Sequence, residues 1–324
     1  MLRFSPIVLG VTLLCCFLSI RFAVHRFNRE TILLGDTQKF DPVKWCQTVF
    51  VNRHEYPTYA AAILFGLAIL TFKYFAGFAF NAPTSFRDFA VSSVVMQVGI
   101  LLLPAVILAK LLTHSPKKSL GLEIGSYIQT GRVFLNVFLA VLAAACFFPT
   151  VLLLGALIQT LYPVTDALVE QLTEMQRTGY DAPIWASLFL FAVLPGICEE
   201  TAFRGLMLGG LLPRQKADYE GTIQAIAISA LFFGVTHGIL QQSINATILG
   251  CLLGYIFVRT GNLYPCIAYH LTHNTAYVLL TYGAEDSGNI EQAPFSPLIT
   301  LAAFCVGVVM VLCLRSNTVS NQPS

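Results

Sequence analysis

Glu199 and Glu200 stand side by side in a stretch that is otherwise apolar from Ile184 to Leu212, and Arg204 follows four residues after Glu200. A charge at bilayer depth costs about 2.5 kcal/mol or more even on the most lenient insertion scale, so three together require a reason. Two further apolar segments carry polar groups of the same kind. Phe233-Gly-Val-Thr-His237 places a histidine near the end of one, and His270-Leu-Thr-His273-Asn274 places two histidines and an amide in the other. On a helix, Glu200 and Arg204 are i,i+4 neighbours and can form an ion pair. His270 and Asn274 share a helical face in the same way, and Phe233 can pack its ring beneath His237. If Arg204 neutralises one carboxylate, the other is a base able to take a proton from water. A histidine can hold that water or later protonate a leaving amine. His270 and Asn274 can donate hydrogen bonds to a developing oxyanion. Together these groups describe amide hydrolysis without a covalent intermediate. No Gly-x-Ser-x-Gly nucleophile competes, and Cys198 reads as packing.

Such a set needs rigid elements to hold it, and the composition says what they are. The chain of 324 residues is 56% hydrophobic and 11% charged, with a mean hydropathy of +0.71. An ordinary soluble domain carries about 25% charged residues. The expected fold is all-α, a polytopic transmembrane helical bundle of eight or nine spans. Apolar runs place them near 5–20, 58–80, 89–112, 133–161, 184–208, 222–240, 244–258, 262–282 and 297–314. The 244–258 run is short for a crossing and is expected to be partly inserted. Pro149 is expected to kink or break the fourth span, and Pro195-Gly196 the fifth. Three regions follow: helices 1–182 with a cytoplasmic connection at 21–57, core helices 183–281, and a last helix with its tail at 282–324.

Most Lys and Arg fall in connections 21–57, 113–132 and 209–221 and in the tail from Arg315, whereas the alternate connections include two acidic loops, one holding Asp166, Glu170, Glu174 and Asp181. That asymmetry predicts an outside N-terminus and a cytoplasmic C-terminus. Lys73, Lys110 and Arg204 lie within spans or at their ends. The first segment reads as a retained helix rather than a cleaved signal. The expected compartment is a prokaryotic plasma membrane, with the endoplasmic reticulum as the alternative. The nine cysteines show no paired spacing, which indicates neither a disulfide framework nor a cysteine metal site.

Each polar residue also has a plain structural reading, as an interhelical hydrogen-bonding group or an ion pair. Convergence favours chemistry, and so does a resemblance. Glu199-Glu200-Thr-Ala-Phe-Arg204, Phe233-Gly-Val-Thr-His237 and His270-Leu-Thr-His-Asn274, in that order, resemble the three signature motifs of the CAAX prenyl protease and bacteriocin-processing family. The likeness covers roughly residues 183–281, and the first four spans lie outside it. It implies a glutamic-type intramembrane endopeptidase whose site opens toward the cytoplasm. Glu199 would be the general base, assisted by His237, and His270 with Asn274 would form the oxyanion hole. Glu200, Arg204 and Phe233 would support them. His273 falls at an unconstrained motif position and reads as structural.

The expected partners are a peptide or protein substrate at the membrane, lipidated or not, and the lipid bilayer, with no nucleic acid. No cofactor is expected. The alternative is zinc on Glu199, His237 and His270, which the neighbouring Arg204 would oppose. Two other classes stay open, a proton-coupled transporter and a non-catalytic immunity or scaffolding protein. Inverted repeats would mark the transporter, and no second polar cluster is found in the first half.

Overall fold

A computed structural model describes residues 53–80, 82–213, 218–284 and 295–315. Contacts divide the chain into a unit Met1–Val51 and a unit Asn52–Ser324, and everything below concerns the second. The expected first span, and most of the 21–57 connection, lie outside the described residues.

The fold is all-helical, as the composition predicts. Nine helices longer than one turn are found among the described residues: α1 (Tyr59–Ala79), α2 (Phe86–Leu112), α3 (Tyr127–Leu161), α4 (Asp166–Tyr180), α5 (Ile184–Leu211), α6 (Tyr219–Val235), α7 (Leu240–Thr260), α8 (Tyr264–Ala284) and α9 (Pro297–Leu312). Their starts follow from local chemistry. Thr58, Ser85 and Ser296 each accept a backbone N–H from the first turn of α1, α2 and α9, and Ser126 with Gln129 forms a capping box on α3. Gly261 ends α7 at φ 64°, a left-handed conformation that favours glycine.

Five helices, α1, α2, α3, α5 and α7, are long and apolar enough to cross a membrane, and α6 and α9 are shorter apolar helices. Large apolar side chains such as Leu64, Leu67, Phe72, Phe75 and Phe78 of α1 point outward. A helix that exposes such groups has its backbone satisfied internally and needs lipid as solvent. The molecule is an integral membrane protein.

Several boundaries differ from the sequence expectation. Helix α7 spans 21 residues, longer than the 244–258 run, and is long and apolar enough to cross a membrane. Polar Gln241, Gln242 and Ser243 begin the helix and hide its true start from a hydropathy reading. Pro149 sits inside a continuous α3, with neither break nor boundary. The acidic loop at Asp166–Asp181 is mostly the helix α4, because its charges alternate with Leu168, Val169, Leu172 and Met175 at helical spacing. Helix α6 stops at Val235, which leaves His237 in the turn beyond it rather than in a span.

The centre of the bundle is α5. Of its most apolar window 67% is buried, against 11–39% in the other four long helices. The core gathers around it, with Phe203, Leu206, Met207 and Leu208 packed among Phe233, Leu253, Ile256, Cys266 and Tyr269. Pro195-Gly196 does not break α5. The helix instead widens to π geometry at Phe189–Val193, just before the proline, and again at Thr201–Leu208. Helix α2 does the same at Val95–Leu102, just before Pro104. Single-turn π segments inside α-helices are frequently found at functional sites.

Candidate active site

The charged residues of α5 lie between or within its two π segments. Glu199 and Glu200 end the α-helical turn between them, and Arg204 falls in the second. The two carboxylates meet different surroundings. Glu200 is wholly buried and Glu199 is 7% exposed. Oε1 of Glu200 accepts from Arg204 at 2.8 Å and from Nδ1 of His270 at 2.7 Å. Arg204 is held further by a 3.2 Å hydrogen bond from its second guanidinium nitrogen to the carbonyl of Gly250, and its guanidinium carbon lies 4.3 Å from the centroid of Phe233. Stacking on an aromatic face suits a desolvated guanidinium. Glu200 is thus fixed by two cationic or potentially cationic groups and is the settled member of the pair.

Glu199 is bound differently. Its Oε1 accepts from the side-chain amide of Gln97 at 2.7 Å, while Oε2 lies 3.9 Å from Nε2 of His270, beyond hydrogen-bond distance. His270 therefore stands between the carboxylates, anchored to Glu200 through one nitrogen and presenting the other toward Glu199. His237 and Lys73 are also close enough to Glu199 to act on it electrostatically.

His237 donates from Nδ1 to the carbonyl of Phe233 at 3.0 Å. In the neutral ring that assignment leaves Nε2 as an acceptor. The Phe233 ring lies edge-on to both imidazoles, with centroids 5.1 Å from His237 and 5.9 Å from His270. One aromatic side chain thus spaces the two histidines and carries the arginine. The i,i+4 stacking of Phe233 and His237 is present even though His237 lies past the helix end.

Asn274 donates through Nδ2 to the carbonyl of Phe191 at 3.0 Å. The reason is local. In an α-helix that carbonyl would accept from residue 195, but Pro195 has no N–H to give. Asn274 meets an acceptor that the proline leaves, and in doing so ties α8 to the first π segment of α5. His273 points elsewhere, stacking edge-on with Phe148 of α3 at 5.7 Å.

Contacts thus link Glu199, Glu200, Arg204, Phe233, His237 and His270, while Asn274 is tied to the Phe191 carbonyl and His273 lies apart. The sequence reading missed Gln97. The signal was available, because a glutamine within an apolar span needs a partner at that depth. Helices α1 and α2 lie outside the motif stretch, yet they pack against the π segments of the centre. Among the described residues no group of three or more His, Cys, Asp and Glu is arranged to hold a metal ion. Cys198 is buried and free, next to Glu199 in the chain.

Comparison with known proteins agrees with the motif reading over the second half. Residues 181–276 match the family model described as Type II CAAX prenyl endopeptidase Rce1-like. The chain is 26% identical over 93 residues to "Putative membrane peptidase YdiL" of Bacillus subtilis (strain 168), a match covering 29% of this chain. That match spans 36% of the length of the curated relative. No solved structure matches the chain. The resemblance drawn from the three motifs is borne out for this stretch.

Proposed function

We propose that the chain is a membrane-embedded endopeptidase that hydrolyses a peptide bond of a membrane-associated protein or peptide. The observation that carries the reading is the inequality of the two carboxylates. Both partners of Glu200, Arg204 and His270, bind Oε1, and its Oε2 is sealed in the interior without a partner, whereas Glu199 is the less buried of the two and keeps Oε2 free of hydrogen bonds. A base that must accept a proton needs such an oxygen.

In this reading a water lies against Oε2 of Glu199, with Nε2 of His237 accepting its second hydrogen. Glu199 takes one proton as the water oxygen attacks the peptide carbonyl carbon. The carbonyl oxygen becomes an oxyanion, toward which His270 donates from Nε2 when that nitrogen carries a proton. The amide of Asn274 has two N–H groups. One is held by Phe191 and fixes the side chain, and the other supplies a second donor. Collapse of the tetrahedral species breaks the C–N bond, and the proton on Glu199 passes to the leaving amine. Gln97, Glu200, Arg204 and Phe233 keep the reacting groups in place. No cofactor enters, and the substrate, lipidated or not, reaches the site from the membrane.

The test is cleavage of a peptide library by the purified full chain in detergent. Glu199→Gln, which is nearly isosteric but cannot act as base, should lower kcat by about 10²–10⁴-fold while the variant stays folded. Wild-type activity should survive exhaustive chelation. A Glu199→Gln variant with full activity would remove the proposal. Activity lost on chelation and restored specifically by zinc would replace it with metal-dependent hydrolysis on Glu199, His237 and His270.

A further inference from the structure

Lysine is among the least tolerated residues in the middle of an apolar helix, and Lys73 lies within α1, flanked by Thr71, Phe72, Tyr74 and Phe75. Its position is not on the lipid face. Ala62, Gly66 and Ile69 are the buried stripe of α1, spaced four and three residues apart, and Lys73 follows four residues later on the same stripe. Among the described residues it forms no ion pair within 4 Å, and it is half-buried.

Two close approaches fix where that stripe leads. A Cβ placed on Gly210 of α5 would meet the Cβ of Ala62 at 2.9 Å, and one on Gly66 would meet Met207 of α5 at 2.8 Å. Moving along α1 from Ala62 to Gly66 thus moves backward along α5 from Gly210 to Met207, so the two helices run antiparallel. Continuing the same register, Lys73 lies seven residues beyond Gly66 and comes level with the step from Glu199 to Glu200, about 10 Å further along. At that level its charge is near enough to be felt by Glu199 and His237.

We propose that Lys73 is a positioning residue of the hydrolytic centre, its ammonium standing as the counter-charge to the Glu199 carboxylate. The charges of the centre then resolve into two pairs, Glu200 with Arg204 in contact and Glu199 with Lys73 at longer range. Neither the pair nor the whole leaves a net charge in an apolar interior. The difference in distance has a chemical consequence. A contact ion pair would occupy the oxygen that the water needs, whereas a longer-range cation balances the carboxylate and leaves that oxygen free. As Glu199 takes its proton, negative charge passes to the oxyanion nearby, still within the field of the same ammonium.

This inference rests on Glu199 as base, and the experiment separates the two. Lys73→Met, Lys73→Arg, Glu199→Gln and the double variant Lys73→Met/Glu199→Gln are purified as full chains in detergent. Peptide cleavage and thermal unfolding are measured for each. Lys73→Met should lower kcat about 10- to 100-fold with KM within about twofold, and Lys73→Arg should recover most of the loss. Glu199→Gln strands the ammonium and should melt below wild type, while the double variant should melt above Glu199→Gln alone. Wild-type kcat in Lys73→Met overturns the proposal. So does a raised KM at constant kcat, which makes Lys73 a substrate contact. So does a double variant that melts no higher than Glu199→Gln. Cleavage by Glu199→Gln would strike at Glu199 as base, and the melting comparison would still judge the Lys73 pairing by itself.

Discussion

Arg204 binds three unlike partners, and each compensates for part of taking a guanidinium out of water. It donates to Glu200 and to the Gly250 carbonyl and lies over the Phe233 ring, at 1% exposure. Removing one member of a buried pair leaves the other charged and uncompensated, at a cost of about 3–5 kcal/mol. Arg204→Met should therefore destabilise the fold by about that amount, read from the melting temperature in detergent. Glu200→Gln combined with Arg204→Met should cost less than the sum of the single changes, because they share one interaction. The i,i+4 spacing of Glu200 and Arg204 is visible in the chain. The placement of Nδ1 of His270 on Glu200 is not, since residues seventy positions apart meet only through packing.

At the scale of elements, the π segments of α2 and α5 do what regular helices would not. Two of the three precede a proline, and between them the three hold Gln97, Phe191 and Arg204, with Glu199 and Glu200 at the edge of the last. The Phe191 carbonyl, which lacks an α-helical donor because of Pro195, fixes Asn274 on α8. Pro195→Ala supplies an N–H that can bond to Phe191 and release the Asn274 amide. That variant should be at least as stable as wild type to heat, yet lose up to about 100-fold in kcat through misplacement of the side chain. Equal kcat with the wild type would show that the Asn274 to Phe191 bond is not needed. Apolar periodicity cannot reveal a π segment, because one extra residue in a turn leaves the run apolar. Close approach has a similar role between α6 and α7, where a Cβ on Gly250 would meet that of Ala230 at 3.0 Å. Small residues at such contacts let membrane helices pack and bring the Gly250 carbonyl within reach of Arg204.

On the scale of the molecule, the motif stretch is not self-sufficient. Gln97 comes from α2, 102 residues before Glu199, and its amide holds one oxygen of the carboxylate at 2.7 Å. Hydrogen bonds to charged groups contribute about 1.5–3 kcal/mol, so their loss is felt when the geometry matters. Gln97→Leu should lower kcat about tenfold or more without unfolding the protein, measured by the same peptide cleavage alongside thermal unfolding. An unchanged kcat would place Gln97 outside the working centre.

What the amino-acid sequence determined by itself was the all-helical membrane class and the residues worth watching. Charge in an apolar run is costly wherever it lies, so Glu199, Glu200, Arg204 and His270 stand out without a structure. The motif stretch was legible for the same reason, because its residue types sit at helical spacings that survive any packing. Helix ends were less so. Polar first turns concealed the start of α7, and the apolar run through α6 continued past Val235 into the turn that carries His237. Only the tertiary structure decided that Nδ1 of His270 falls on Glu200 and that Gln97 of α2 reaches Glu199. Those choices depend on register between helices distant in the chain, and register is set by close contacts such as Gly66 on Met207, which no local pattern encodes.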